Sequence, residues 1–308
     1  MSVDEQVLQA HATRRDLDLG IAESFVSFRA GTGTTLGVLA APLSDPSPTA
    51  WVLCHSFGSE QLDLHLTDTA LSRALAAGGS PALRFHCQGY GDSEHAGSPS
   101  SLSGHLADTL DAIAHLRSTT GARSIGVLGT RFGALVAARA ARELSLPYLV
   151  LIDPVVDGAR YLRDLLRYSV MSGIVRADAV ADMASARAAL DDGRSVNVNG
   201  FSLTRAAVEQ LSAARIDEEL PSLVRGLIVQ VSREDQAKRS LGTLRSRMGT
   251  AADLAVVTDR SAGVFGHHRF HEIGDEVYSD ALAQLTAGIA SAITGWVDVH
   301  VEGASRPS

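Results

Sequence analysis

Three short stretches carry side chains able to hold charge or move protons. The first, Gly129-Thr130-Arg131-Phe132-Gly133, joins the apolar run Ile125–Leu128 to an Ala-rich segment, so it reads as a tight strand-to-helix turn with Arg131 at its tip. A guanidinium stays protonated and offers five donors in a rigid fork. It cannot attack a carbonyl, but it can bind a carboxylate or phosphate or pair with an acid. The candidate acids are Asp153, ending the next strand, and Glu60. A buried arginine without a partner would cost several kcal/mol, so one of these or a ligand anion is expected to meet it. The second stretch is Ser232-Arg233-Glu234-Asp235, and the third is Gly266-His267-His268. Histidine titrates near neutrality and can serve as general acid or base.

These stretches need a frame to bring them together. Residues 22–42 contain two β-rich runs around Gly31-Thr32-Gly33, an antiparallel hairpin for a sheet edge. Short runs that are apolar on both faces follow at 51–55, 81–87, 124–129, 148–153, 225–232 and 252–259, as buried parallel strands should read. Helical segments at 62–77, 101–118, 133–144 and 272–297 alternate with them. Alternation of this kind implies a doubly wound, mostly parallel sheet of the α/β class with helices on both faces. Between 155 and 221 the rhythm breaks. Helical stretches at 159–172, 177–190 and 203–213 surround "VNVNGFSL", an Asn-Gly hairpin. This segment is expected to be an inserted, mainly helical cap over the ends of the strands that stop at Gly129 and Asp153, on a core formed by 1–154 and 222–300. Residues 301–308 read as a flexible tail.

Composition narrows the function classes. The chain has 308 residues, 45% of them hydrophobic, enough for one large core carrying an insertion. A net charge of -8 with scattered Lys and Arg lacks the basic footprint of a nucleic-acid binder. Cys54 and Cys87 each end an apolar strand-like run, which suits packed, reduced thiols in a cytoplasmic setting. The first 20 residues have no apolar leader core, and no stretch reaches the ~18 apolar residues of a membrane span. The glycines at 31–33 and 89–91 do not form a dinucleotide loop. No cofactor and no metal is implied; a small-molecule substrate is, and both a monomer and a homo-oligomer are compatible with the chain.

Taken in order, the motifs resemble the α/β-hydrolase superfamily over nearly the whole chain. "HSFGSE" stands at the oxyanion loop, "HCQGYGDSE" at the D-x-x-G-x-G-x-S position, "GTRFGA" at the nucleophile elbow, "SRED" at the acid and "FGHHRF" at the histidine. The order of elbow, acid and histidine is the one this fold uses. "LIDPVVDGARYLRDLLR", "GTRFGA" and "NVNGFSL" are further similar to the exosortase-associated branch, whose elbow often lacks serine. The resemblance implies that Asp235, with Glu234 as fallback, orients His267, with His268 the competing register. It also implies an oxyanion hole from the amides of Phe57 and Phe132.

A serine displaced from the elbow would have to be Ser56 or Ser59, since Thr130 should face away and Cys87 and Ser93 only shape the site. His55 is expected to make a structural hydrogen bond. The expected function is an enzyme acting on a small acyl, ester or carboxylate-bearing substrate without an elbow serine. Arg131 would bind the anion or carbonyl and His267 with Asp235 would move protons, in hydrolysis or in lyase or cyclase chemistry. The alternatives are a serine hydrolase with a displaced nucleophile and a non-catalytic pseudoenzyme that binds a ligand or protein.

Overall fold

A computed structural model of the chain describes residues 12–172, 183–198, 200–222, 224–259 and 275–302. Its spine is a nine-stranded sheet. An antiparallel edge, β1 (Thr13–Asp16), β2 (Ile21–Ala30) and β3 (Gly33–Pro42), leads into β5 (Ala82–Phe85), and the order continues β4 (Thr49–Cys54), β6 (Ser124–Thr130), β7 (Tyr148–Ile152), β10 (Arg225–Ser232) and β11 (Ala252–Thr258). From β5 to β11 all neighbours are parallel. The fully apolar strands sit at the centre: β4 is buried throughout, and β6 is buried after its first residue. Strands covered on both faces have no polar side to show, which is why their sequences do not alternate.

Two apolar layers cover the sheet. α1 (Glu60–Ala77) and α9 (Asp275–Val297) pack on one face, with Leu64, Leu71, Leu75, Leu285, Ile289 and Ile293 around Trp51. α2 (Leu102–Thr120), α3 (Gly133–Glu143) and α8 (Arg239–Met248) pack on the other. The sequence reading places α1 two residues late and omits β1 and α8. β1 carries the mixed charges of "TRRD" and lies on the exposed edge, so no hydrophobic period marks it. The core also runs past residue 300: Asp298–Glu302 form a π-helical turn, and Val301 is buried against the α1/α9 layer. The tail boundary at 301 is therefore too early.

Between β7 and β10 lie α4 (Gly158–Ser172), α5 (Met183–Asp191), the hairpin β8 (Val196–Val198) and β9 (Phe201–Leu203), α6 (Arg205–Ala213) and the short α7 (Ile216–Glu219). This mainly helical insertion sits over the strand ends. Tyr161 of α4 packs on Phe132 just after β6, Phe201 of β9 packs on Tyr90 after β5, and Gln210 of α6 accepts the Ser103 amide at the start of α2. β8 and β9 pair as the expected hairpin, with Gly200 at φ +93° and its amide on Asn197 Oδ1 at 2.8 Å. Among the described residues no helix is long and apolar enough to cross a membrane.

Candidate functional site

The turn after β6 is built by close backbone approach. A Cβ on Gly129 would lie 2.2 Å from the Gly133 carbonyl oxygen, and one on Gly133 would lie 2.0 Å from that of Cys54. Only glycine permits β6 to turn this sharply into α3 while both lie against β4. The tip, Arg131, is pushed to φ +55°, a left-handed conformation that costs a side-chain-bearing residue on the order of 1–3 kcal/mol. Its amide donates to Ile152 O at 2.9 Å, and its carbonyl accepts from Val155 N–H at 3.2 Å, so the tip is stitched to the end of β7.

The fork of Arg131 meets both expected acids at once. Nη1 donates to Asp153 Oδ2 at 2.9 Å and Nη2 to Glu60 Oε1 at 3.2 Å. Glu60 is held in turn by the hydroxyl of Tyr161, which donates to Oε2 at 2.8 Å. Lys238, on the loop after β10, adds a second cation 3.6 Å from Asp153 Oδ1. The network therefore has two cations and two carboxylates, drawn from the segments that follow β4, β6, β7 and β10. Burial works against the Arg131 charge, but Glu60 and Asp153 outweigh it and hold the pKa above the ordinary arginine value. Burial, then the neighbouring Glu60, pushes the Tyr161 hydroxyl well above its ordinary pKa, so it remains a donor.

Arg131, Asp153, Tyr161 and Lys238 line one cavity of about 400 Å³ roofed by α4. Tyr161 and Lys238 are absent from the sequence expectations. A signal existed for the first: Tyr161, Leu162, Leu165 and Leu166 form the buried stripe of α4, and a tyrosine there needs a partner for its hydroxyl. Nothing marked Lys238. The loop that carries it is shaped by Gln230, fully buried in β10, whose Nε2 donates to Gln236 O at 2.9 Å and whose Oε1 accepts the Lys238 amide at 2.6 Å.

Asp235 is exposed on that same loop, where it accepts a hydrogen bond from Thr258 Oγ1. Glu234 beside it is also exposed, with its amide on Ser232 Oγ. His267 and His268 lie outside the described residues. The serine expectations need correction at Ser56, which does not line the cavity: it is fully enclosed and donates its hydroxyl to Thr130 O at 2.9 Å. Ser59 is buried at the start of α1. Thr130 does face away from the tip, toward Asp68 of α1 at 3.5 Å.

Phe57 and Phe132 are buried with their rings 5.1 Å apart, and among the described residues neither backbone amide meets an acceptor. His55 fixes the loop that carries Phe57. Its Nδ1–H donates to Ser56 O at 2.7 Å and its Nε2 accepts the Cys87 amide at 3.1 Å. Burial drives its pKa down to about 4, so the ring is neutral. His55, Cys87 and His105 form a compact buried cluster, yet both His55 nitrogens are committed and burial pushes the Cys87 thiol well above its ordinary pKa. That donor set is packing and hydrogen bonding, not a free coordination shell.

No known family model matches the chain, and no curated protein sequence does either. Solved structures do. An esterase of Pyrococcus furiosus matches with a TM-score of 0.55 at 16% identity, covering 88% of this chain and 93% of its own. The fold is that of the α/β-hydrolases. Est1E from Butyrivibrio proteoclasticus, in its ferulic-acid complex, matches with a TM-score of 0.54 at 15% identity over 86% of this chain and 99% of its own. A serine hydrolase of Xanthomonas campestris, described as lacking a lid, matches at 0.51 and 17% identity over 87% and 93%. At such identities the likeness is one of architecture. The sharp strand-to-helix turn that carries Arg131, read as the elbow from the sequence, joins β6 to α3, and α4 to α7 lie between β7 and β10.

Proposed function

We propose that the protein is an α/β-hydrolase-fold enzyme acting on a small acyl or carboxylate-bearing substrate in the cavity under α4, without a nucleophilic serine at its elbow. One observation carries this reading. The strained tip of the elbow is an arginine, clamped by Glu60 and Asp153 and forming a wall of a cavity of substrate size. Backbone strain that the surrounding structure holds in place, beside a cavity, points to a functional site.

In this reading Arg131, with its fork held by Glu60 and Asp153, fixes the geometry of the cavity wall. Lys238, whose side chain is 54% exposed and only loosely held by Asp153, takes the substrate carboxylate. The amides of Phe57 and Phe132 receive a carbonyl oxygen as negative charge develops on it. His267, oriented by Asp235, moves the proton, which supports hydrolysis by activated water or a lyase or cyclase step rather than an acyl-enzyme. The enclosure of Ser56 and its bond to Thr130 O argue against a displaced serine.

A second reading, a pseudoenzyme that only binds such a ligand, is favoured by the charge balance within the clamp, since both ends of the Arg131 fork already hold protein carboxylates. One comparison separates the readings: a panel of short acyl esters and thioesters with parent, Arg131→Lys and His267→Ala proteins, alongside a fluorophosphonate probe read by intact mass. Turnover that is lost in His267→Ala, with no serine adduct, supports the enzyme. A stoichiometric adduct on one serine overturns the proposed chemistry, and ligand-induced thermal stabilisation without turnover supports the binder.

A further inference from the structure

A second cavity, of about 280 Å³, opens between α1 and the antiparallel side of the sheet and shares no lining residue with the one at the elbow. One wall is apolar: Phe25 of β2, Leu36 and Val38 of β3, and Phe85 of β5. Phe25 is 66% exposed and Leu36 41%, so two large apolar side chains stand uncovered at its margin. The other wall holds Arg84, Gln61, Asp68 and His86.

Arg84 is the unusual member. Its nearest acid, Glu23, lies 3.7 Å away and gives its close contacts, 2.7 and 3.0 Å, to Arg73. The Arg84 Nε is buried without a hydrogen-bond partner, and burial lowers the arginine's pKa. Among the described residues the Nε atoms of Arg131 and Arg139 are likewise buried without a partner, but each of those forks meets a carboxylate at hydrogen-bond distance, which that of Arg84 does not. Gln61 is only 6% exposed and lines the same wall. His86 accepts the Asp92 amide on Nδ1 at 3.1 Å, which leaves its proton on Nε2. The cavity thus gathers a cation without a close acid and neutral polar side chains, facing an apolar wall.

We propose that this cavity is a binding site for a small monocarboxylic acid, with the carboxylate on Arg84 and the hydrocarbon chain against Phe25, Leu36 and Val38. A planar carboxylate matches the guanidinium fork. Asp68 and Asp92 also line the cavity, so a dianion such as phosphate would face two acids for one arginine. Asp68 softens the first of these contacts: burial raises its pKa to about 7, so it carries a proton over much of the neutral range and can donate to the ligand. The site is independent of any chemistry at the elbow.

Butyrate is the probe, with butyramide and inorganic phosphate as comparators, followed by thermal shift and by nuclear Overhauser contacts from the butyrate methyl group. The expected result is saturable binding of butyrate, with butyramide and phosphate at least about tenfold weaker, and contacts to Phe25, Leu36 and Val38. Arg84→Gln should weaken butyrate binding about tenfold. Should Arg84→Gln fail to fold, the contacts in the parent protein decide. Absence of saturable binding, equal binding of butyramide, or contacts to Val155 and Leu241 of the elbow cavity would overturn the proposal.

Discussion

Arg131 and Asp153, at the ends of the neighbouring strands β6 and β7, both hold left-handed backbone conformations, φ +55° and +36°, and bond to each other at 2.9 Å. Two strained residues are thus locked together by a charge-assisted bond, with Glu60 on the far end of the same fork. Removing the arginine should strand two largely buried carboxylates. Arg131→Ala is expected to lose roughly 3–5 kcal/mol in urea unfolding, the penalty of breaking a buried pair from one side. A variant that unfolds at the same denaturant concentration as the parent would show that the clamp contributes nothing to the fold.

Tyr161 ties the α4 insertion to the elbow through one hydrogen bond to Glu60. Tyr161→Phe keeps the ring and its packing on Phe132 but leaves Glu60 Oε2 without that donor. The expected cost is about 1–3 kcal/mol. Limited proteolysis should also show faster cutting within 158–172, because the insertion loses its polar latch.

The glycines of the elbow make the sharpest steric prediction. Gly133→Ala would place a methyl carbon 2.0 Å from the Cys54 carbonyl, and Gly129→Ala would place one 2.2 Å from that of Gly133. Backbone, unlike a flexible side chain, cannot give way, so each variant should lose more than about 3 kcal/mol or fail to accumulate as folded protein. Circular dichroism melts of the two variants provide the check.

Asp68 makes stability depend on pH in a direction opposite to most carboxylates. Burial raises its native pKa from 3.8 to about 7. The folded protein therefore binds more protons than the unfolded chain across this window, and the contribution of Asp68 is fullest below the unfolded pKa and falls as pH rises toward 7. Asp68→Asn does not titrate. Relative to the parent, it should gain up to about 4 kcal/mol between pH 4 and pH 8, read from urea unfolding at both ends. A pH-independent difference would mean that Asp68 ionises normally.

Much of the architecture was written in local patterns. Buried parallel strands such as "SIGVLG" and "YLVLID" must be apolar on both faces, and the glycines of Gly129-Thr130-Arg131-Phe132-Gly133 mark a turn no other residues can make. These are short-range constraints of sterics and burial, so the α/β-hydrolase fold, the Asn-Gly hairpin and the inserted helices between β7 and β10 were legible. The sequence also named Arg131, Glu60 and Asp153 as a set of one cation and two candidate acids.

What it could not decide was how they combine. Whether Arg131 takes one acid, both or neither depends on distances between β4, β6 and β7 that are set only when the strands align in one sheet. The same holds for Ser56, which looks available in "HSFGSE" until the packed β6 end encloses it, and for Lys238, which reaches Asp153 only because buried Gln230 bends the loop after β10. Side-chain identity is local, but the meeting of charges from the segments after four separate strands is a property of the assembled sheet, where long-range register places groups dozens of residues apart within one hydrogen bond of each other.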